Sequence, residues 1–291
     1  MALLIVSVVW GLIRMAPGSF YDSDKKLPAA IEKNIREKYW LDKPWYMQYG
    51  RMISNVVRGD FGYSLKYEGQ TVNEILLRSV PISATIGILA YLLAFIIGVA
   101  AGTTAALKQN SAYDYSSMAI SMLGISIPNF VLGPILILVF ALWLYILPPA
   151  RWGGITNIIL PVITLSAVYT AYIARLTRAG MLEVLRSDYI RTARAKGLDE
   201  KTVLWRHALR GGLMPVVSYT GPALAALLAG TVVVEKVFAM PGLGNYFIQS
   251  IFNRDETLTL GIVAFFSIMV LVFNLLVDIA YAYLDPRIRY D

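Results

Sequence analysis

The sequence of 291 residues contains no cysteine, which excludes disulfide bonds, thiolate catalysis and cysteine-ligated metal sites. Its single histidine, His207, cannot by itself form a histidine metal cluster or a Ser-His-Asp triad. No Gly-x-x-x-x-Gly-Lys-Ser/Thr segment occurs, so the chain lacks the phosphate-binding loop of P-loop ATPases. The sequence therefore predicts no catalytic residue, no metal ligand and no cofactor bound by this chain.

Charged residues are also scarce. They make up 15% of the chain, against roughly 25% in an average soluble domain, while 57% of the residues are hydrophobic. The net charge of +7 is compatible with nucleic-acid binding. In so apolar a chain it is better explained by the excess of lysine and arginine in the cytoplasmic loops of membrane proteins. We therefore expect a membrane protein that does not bind nucleic acid.

Five long segments contain no Asp, Glu, Lys or Arg, and each exceeds the roughly 20 residues that a helix needs to cross a bilayer. They comprise residues 79–107, 115–150, 152–174, 211–234 and 257–277. No barrel-type alternation is present, so helices are expected. With a shorter apolar N-terminal run, the sequence predicts an all-α membrane protein with six transmembrane helices, at about 1–15, 81–107, 116–146, 158–181, 213–236 and 257–283.

Two of these helices have unusual features. The first is short, and we interpret it as the outer part of a membrane helix whose beginning is missing or unusually short. The third is longer than one span needs, and Pro128 and Pro134 are expected to kink it. The transmembrane domain that begins with the second helix is expected to cover residues 79–286.

The basic residues of the loops predict the orientation. Residues 182–212 carry a cluster of lysines and arginines, whereas the neighbouring short loops carry few. This bias places 182–212 and both termini, including a tail at 287–291, in the cytoplasm. The segment 16–78 is then extracytoplasmic despite its basic residues, because long loops translocate largely regardless of charge.

The extracytoplasmic segment 16–78 is expected to be folded. Pro28 is suited to begin a helix with Ile31, Ile35 and Tyr39 on one face, and Pro44 to begin a second. The second helix would have Met52, Ile53, Val56 and Val57 on its apolar face, followed by a turn at 59–62. Two interpretations stay open: a docking surface or vestibule for an external partner, or a cap that braces the ends of the membrane helices.

The basic loop contains two short predicted helices separated by a glycine. Ser187 or Asp188 can cap the first helix, and Gly197 can end it in a left-handed conformation. Asp199 can cap the second, which carries Val203, Leu204, His207 and Ala208 at helical spacing. Ala193 and Ala195 would keep the first helix thin. Small, apolar and basic residues in two capped helices favour a docking element over a solvated linker.

These residues also resemble a known family. The run Ala193-Arg-Ala-Lys-Gly197-Leu, with Pro215 downstream, is similar to the cytoplasmic "EAA" loop of ABC importer permeases. The leading glutamate of that loop is absent, and Arg191 or Thr192 stands near its place. This departure occurs in the oligopeptide/dipeptide/nickel branch, which the chain resembles in order along nearly its whole length. The other matching pieces are Met15-Ala-Pro17-Gly18, Leu41-Asp-Lys-Pro44, Gly59-Asp60-Phe-Gly62-Tyr-Ser64, Arg78-Ser-Val-Pro81, 230–244 and 274–289.

The resemblance implies the type I ABC importer permease fold in a bacterial inner membrane, with the helical extracytoplasmic insertion between helices 1 and 2. It implies a second homologous permease, two ABC ATPase subunits that bind ATP and Mg, an extracytoplasmic substrate-binding protein and membrane lipid as partners. The residues that it assigns to ATPase coupling, within helices at 187–210, are Asp188, Tyr189, Arg191, Thr192, Ala193, Ala195, Lys196, Gly197 and Leu198.

The sequence and its resemblance leave several substrates and several path residues open. Oligopeptides or dipeptides are the commonest cargo of the branch, with nickel complexes, glutathione or another small solute as alternatives. An ion-coupled secondary carrier fits less well, because such a carrier usually keeps an ionisable group inside the membrane. Candidate gate or path residues are Asn129, Tyr169, Tyr219, Glu235 and Asp278. Helix–helix hydrogen bonds or interfacial anchoring would equally explain these polar residues.

Overall fold

The computed structural model describes residues 1–15, 40, 42–149 and 151–284, with side chains in all of them except 228–230 and 280–284. Within these ranges the regular structure is helical, apart from one isolated antiparallel bridge between Tyr63 and Thr71. The helices are α1 (Ala2–Met15), α2 (Trp45–Arg58), α3 (Val72–Leu107), α4 (Ala112–Ser126), α5 (Asn129–Leu136, continued by π-helical Ile137–Trp143), α6 (Ile155–Leu185), α7 (Asp188–Ala195), α8 (Glu200–Thr202, π-helical Val203–Ala208 and Leu209–Gly212), α9 (Met214–Val237), α10 (Leu243–Phe252) and α11 (Glu256–Leu284). The all-α prediction is confirmed.

Five of the six predicted spans correspond to long or bent apolar helices of the structure. Three are long and apolar enough to cross a membrane by themselves: α3, α6 and the Glu256–Ile279 part of α11. The pair α4–α5 and the two halves of α9 pass the same test as bent pairs. At 14 residues, α1 is shorter than a span. The described residues therefore hold up to five spans and one short apolar helix, where the sequence predicts six transmembrane helices.

The third predicted helix is broken rather than kinked. The sequence predicts one helix over 116–146, but α4 and α5 meet at an angle of 103°. Ile127 and Pro128 between them are extended, with ψ angles of 112° and 145°. Proline disfavours the helical conformation in the residue before it, which explains the position of the break. Pro134 lies inside α5 without ending it.

The chain divides into two compact units, which are described separately. The first unit consists of Met1–Ile82 and Pro241–Leu271, and the second of Ser83–Met240 and Val272–Asp291.

The first unit is organised around a buried carboxylate. The Asp255 side chain accepts hydrogen bonds from the Ser64 hydroxyl at 2.5 Å and from the backbone N–H groups of Leu65 and Lys66, both at 3.1 Å. Its second oxygen accepts from the N–H of Leu258 at 3.0 Å, so Asp255 also caps the start of α11. An apolar cluster beside it contains Val72, Ile75, Leu76, Leu243, Leu258 and Ile262.

The predicted helix after Pro44 is confirmed as α2, while the helix predicted after Pro28 lies outside the described residues. Met52 and Val56 of α2 pack against Val6, Trp10, Leu260 and Ala264. Val57 does not share this face, because 69% of its surface is exposed, which corrects the prediction. The predicted turn is confirmed, with Gly59 and Gly62 at φ angles of +69° and +77°.

The core of the second unit is α6. Three glycines allow neighbouring helices to approach it closely. A Cβ on Gly102 of α3 would lie 2.4 Å from the carbonyl oxygen of Ala174, and one on Gly98 would lie 2.8 Å from Ile173 Cβ. On α4, a Cβ on Gly124 would lie 2.9 Å from the carbonyl oxygen of Ala167. The small residues therefore create the contacts, as is usual between membrane helices.

Candidate functional site

The loop between α6 and α9 folds as a helical hairpin, Asp188–Gly212, made of α7 and α8. Ser187 occupies the N-cap position of α7, but its hydroxyl donates to the carbonyl oxygen of Val184 at 2.6 Å and does not cap the helix. Asp188 lies in the first turn, where a carboxylate is favoured by the helix dipole. The prediction of a helix starting here is correct, and the predicted Ser187 side-chain cap is wrong.

The turn between α7 and α8 has the predicted conformation. Gly197 adopts a φ angle of +78°, which a residue without a Cβ tolerates best. Its N–H donates to the carbonyl oxygen of Arg194 at 2.9 Å, and the N–H of Leu198 donates to that of Ala193 at 3.4 Å. These bonds satisfy carbonyl groups at the end of α7.

Asp199 begins α8 as the sequence predicts. Its carboxylate accepts from the backbone N–H of Thr202 at 3.2 Å. Hydrogen bonding with the side chain and backbone of Thr202 lowers the pKa of Asp199 below its ordinary value. The carboxylate form is therefore the one that the folded hairpin stabilises.

The inner face of the hairpin packs on the protein itself. Its buried residues share one cluster with the ends of α3 and α6: Ala106, Met181, Ile190, Ala193, Val203, Ala208 and Leu209. Ile190 is completely buried, and Ala193 is 7% exposed. Ala193 therefore allows close packing inside the hairpin, and its predicted place on a thin surface open to a partner is wrong.

The outer face of α7 is free of such packing. Of the predicted coupling residues, all except Ala193 are exposed: Asp188, Tyr189, Arg191, Thr192, Ala195, Lys196, Gly197 and Leu198. Asp188, Arg191, Thr192 and Ala195 recur at helical spacing and form one stripe, which we call the outer stripe. Asp188 and Arg191 form an exposed ion pair at 3.3 Å, a kind of contact that contributes little to stability.

The hairpin is attached firmly at both ends. At the tip, Arg194 bridges to Glu200 with two hydrogen bonds, at 2.7 and 3.2 Å. At the base, a Cβ on Gly180 of α6 would lie 2.3 Å from the carbonyl oxygen of Gly212, so the two backbones are in direct contact. The sequence did not predict this contact, because glycine is common in membrane helices and no local pattern marks the one that touches a neighbouring backbone.

A buried ion pair near the hairpin was also missed. Asp114, in the first turn of α4, is 2% exposed and accepts two hydrogen bonds from the Arg178 guanidinium of α6, at 2.6 and 2.7 Å. Its carboxylate also accepts the N–H of Asn110 at 3.0 Å. The pair joins α4 to α6 next to the helix ends that carry the hairpin. The signal in the sequence was an acidic residue directly before a charge-free segment.

The candidate path residues lie on four different helices. Glu235 of α9 is fully buried and accepts a hydrogen bond from the Ser83 hydroxyl at 2.6 Å. Asp278 of α11 is exposed. The Oδ1 atom of Asn129, at the start of α5, is buried without a hydrogen-bond partner. These three residues therefore differ in burial and in hydrogen bonding.

Two of the candidate path residues are tyrosines at the contact of α6 with α9. Tyr169 is buried in α6. The ring of Tyr219 in α9 lies 5.6 Å from that of Tyr172, one turn along α6 from Tyr169. Beside them, the hydroxyls of Tyr91 and Thr220 are 2.5 Å apart. Among the described residues, no group of three or more His, Cys, Asp or Glu side chains has a geometry that could hold a metal ion.

Comparison with known proteins identifies relatives of nearly full length. The oligopeptide transport system permease protein OppB of Haemophilus influenzae is 44% identical over 289 residues, covering 99% of this chain and 94% of that protein. The dipeptide transport system permease protein DppB of Bacillus subtilis is 42% identical over 287 residues, covering 99% and 93% of the two chains.

The fold is also found among solved structures. One chain of an inward-facing structure of the MetNI methionine ABC transporter has a similar fold, with a TM-score of 0.63 and 18% sequence identity. The match covers 72% of the present chain and 96% of the MetNI chain. Residues 94–290 match the family described as binding-protein-dependent transport system inner membrane component. The chain belongs to this family and is a multi-pass permease subunit of an ABC importer.

Proposed function

We propose that the chain forms part of the translocation path for oligopeptides or dipeptides, and that its α7–α8 hairpin couples this path to ATP hydrolysis on separate subunits. ATP and Mg would bind to two ABC ATPases, since this sequence contains no P-loop. A second homologous permease would complete the path, and an extracytoplasmic binding protein would deliver the substrate.

The observation that carries the proposal is the two-sided hairpin. Its inner face is buried against α3 and α6, while its outer stripe is exposed and polar. A partner that contacts the outer stripe therefore acts on an element attached to α6 by backbone contact at Gly180 and Gly212. Displacement of the hairpin would move α6 with it, because packed helices shift as rigid bodies.

ATP can drive this movement only through a difference in contact energy. The ATPase pair must bind the hairpin differently in its ATP-bound and ATP-free states, since a partner with equal affinity for both conformations shifts neither. The orientation proposed here places the hairpin and both termini in the cytoplasm and the segment 16–78 outside, in agreement with the distribution of basic residues. The relatives' names support peptides as the substrate.

Thiol labelling tests the coupling surface, because the 291-residue sequence contains no cysteine. Ala195→Cys and Ala193→Cys introduce the same side chain two residues apart, on the exposed and the buried side of α7. In inverted membrane vesicles, we expect a membrane-impermeant maleimide to modify Ala195→Cys when the ATPases are absent and to fail when they are bound. Ala193→Cys should stay unmodified in both cases.

Two outcomes would contradict the proposal. Equal labelling of Ala195→Cys with and without ATPases would show that they do not cover the outer stripe. Labelling in right-side-out but not in inverted vesicles would reverse the orientation. As a functional check, Ala195→Trp should abolish ATP-driven peptide uptake in a correctly assembled complex, while Ala195→Ser should retain it.

A further inference from the structure

The second helix of the hairpin lies at the level where two membrane helices end. Glu200, Lys201 and Leu204 line a small pocket together with Leu107 and Leu185. Leu107 is the last residue of α3 and of its charge-free segment, and Lys108 follows it, whereas α6 already carries charged residues before its end at Leu185. The end of the charge-free segment of a spanning helix, here at Leu107, lies near the boundary of the hydrocarbon region. The first two turns of α8 therefore lie close to this boundary.

The outer side of α8 presents an aromatic and basic surface. The side chain of Trp205 is 73% exposed, the largest aromatic group on the hairpin and one that the coupling assignment does not use. Lys201, Arg206 and Arg210 around it are also exposed. We call these four residues the basic face of α8. The opposite side of the helix, with Val203, Ala208 and Leu209, is buried.

The cations of the basic face have no anionic partner in the described part of the chain. The ion pairs found there join Arg14 to Glu256, Arg178 to Asp114, Arg191 to Asp188 and Arg194 to Glu200. Glu200, the acidic residue closest in sequence to Lys201, is thus occupied by Arg194. Among the described residues, no carboxylate therefore forms an ion pair with Lys201, Arg206 or Arg210.

Other residues at the same end of the second unit have the composition of a membrane–water interface. Tyr113 and Tyr115, in the first turn of α4, are exposed, and Lys108 Nζ lies 4.1 Å from the centre of the Tyr113 ring. Lys108 directly follows Leu107, so these groups lie at the same boundary. Tyrosine and tryptophan are enriched at this depth because their rings are apolar and their N–H or O–H groups bond to headgroups or water.

We propose that the basic face of α8 binds the headgroups of anionic phospholipids. Lys201, Arg206 and Arg210 would pair with lipid phosphates, and the Trp205 ring would lie among the upper acyl chains and the glycerol groups. A lipid surface explains the aromatic group, the unpaired cations and the position at the span ends together. This proposal rests on the cytoplasmic orientation of the hairpin, since it assigns the site to the cytoplasmic leaflet.

The proposal adds a second contact to the hairpin. The outer stripe of α7 would meet the ATPase, while the basic face of α8 would hold the base of the hairpin at the membrane surface. Anionic lipid would then influence coupling without touching the path.

Photo-crosslinking tests which partner contacts Trp205. The complete transporter, with its ATPases, would be placed in nanodiscs of phosphatidylcholine with or without phosphatidylglycerol, with p-benzoylphenylalanine in place of Trp205. We expect an adduct of this chain with the mass of phosphatidylglycerol. An adduct with an ATPase subunit, or no lipid adduct in discs that contain phosphatidylglycerol, would overturn the lipid site.

The same probe in place of Tyr189 separates this proposal from the coupling proposal. It should capture an ATPase and no lipid. Lipid capture at position 205 without ATPase capture at 189 would contradict the coupling surface and leave the lipid site standing. ATPase capture at both positions would support the coupling surface and overturn the lipid site.

Charge removal tests the headgroup contact. Arg206→Gln with Arg210→Gln should weaken retention of phosphatidylglycerol, measured by native mass spectrometry of the complex, by about fivefold per charge removed. Arg191→Gln with Lys196→Gln removes two exposed charges from α7 and the residue that follows it, and is the matched control, which should leave lipid retention unchanged. Equal losses in the two double variants would show a general effect of net charge and overturn the site.

Discussion

Two connections between helices, the α7–α8 hairpin of the second unit and the segment around Asp255 of the first, are built on opposite principles. The hairpin is held by an apolar cluster on its inner face, and its polar groups point outward. The segment at Asp255 is held by one buried carboxylate whose oxygens accept bonds from Ser64, Leu65, Lys66 and Leu258. An apolar core leaves polar groups available to a partner, whereas Asp255 uses its hydrogen-bonding capacity inside its own chain.

The largest expected effect is at Asp255. Asp255→Ala would leave buried N–H groups without acceptors and remove the cap of α11, so we expect a loss of about 3–5 kcal/mol in the free energy of unfolding. The measurement is denaturant-induced unfolding of the purified chain in detergent micelles. Asp188→Ala is the control, because that carboxylate is exposed on the hairpin and should change stability by less than about 0.5 kcal/mol. Equal losses of stability in the two variants would show that Asp255 does not hold its segment together more than Asp188 holds the hairpin.

The next effect is at the apolar core of the hairpin. Ile190→Ala removes a completely buried side chain and should cost about 2–4 kcal/mol, through lost burial and the resulting cavity. The same unfolding measurement checks it. Leu198→Ala, at an exposed position of the turn, should cost clearly less. If Ile190→Ala were neutral, the hairpin would not be held by its inner face.

A smaller effect is expected at the base of the hairpin. Gly180→Ala places a Cβ against the carbonyl oxygen of Gly212 and forces the backbones apart, at a cost of about 1–3 kcal/mol. Gly11→Ala is the control, since no atom lies within 4 Å of its added Cβ. We also expect Gly180→Ala to reduce uptake per ATP hydrolysed in the reconstituted transporter, because it loosens the joint between hairpin and α6. Unchanged coupling in a destabilised variant would argue against that joint.

The smallest effect concerns the cap of α8. Hydrogen bonding with Thr202 lowers the pKa of Asp199 in the folded protein below its ordinary value of 3.8. Asp199 therefore stabilises the hairpin above pH 3.8, and this contribution is lost as the pH falls through the lower, folded-state pKa. Thermal unfolding between pH 3 and pH 7 should show this component in the natural protein and not in Asp199→Asn. An identical pH profile in both proteins would show that the charge of Asp199 does not stabilise α8.

The features that the sequence predicted correctly depend on nearby residues. The turn at Gly197 and the capping bond of Asp199 involve groups that are only three to five residues apart. The positions of α3, α6 and α11 follow from the length of the apolar segments. The site was found through its two short helices and the glycine between them, while the basic face of α8 went unused because no local pattern distinguishes an exposed tryptophan from a buried one.

Contacts between distant parts of the chain decided the rest. Ala193 and Ala195 look alike in the sequence, and only the packing of Ile190 against Val203 and Leu209 puts the first inside and the second outside. The hydrogen bond between Asp114 and Arg178, which are 64 residues apart, likewise forms only when distant parts of the chain meet.

The sequence alone determined that this is a helical membrane protein and where its spans and hairpin lie. The free energy of transferring an apolar segment out of water and the free energy of hydrogen bonds within one helical turn depend only on nearby residues. Both can therefore be summed along a chain from its sequence. Tertiary structure alone decided which face of the hairpin is free, by how much α4 and α5 bend apart and which glycines join helices. These outcomes depend on the fit between surfaces that meet only after the spans have assembled.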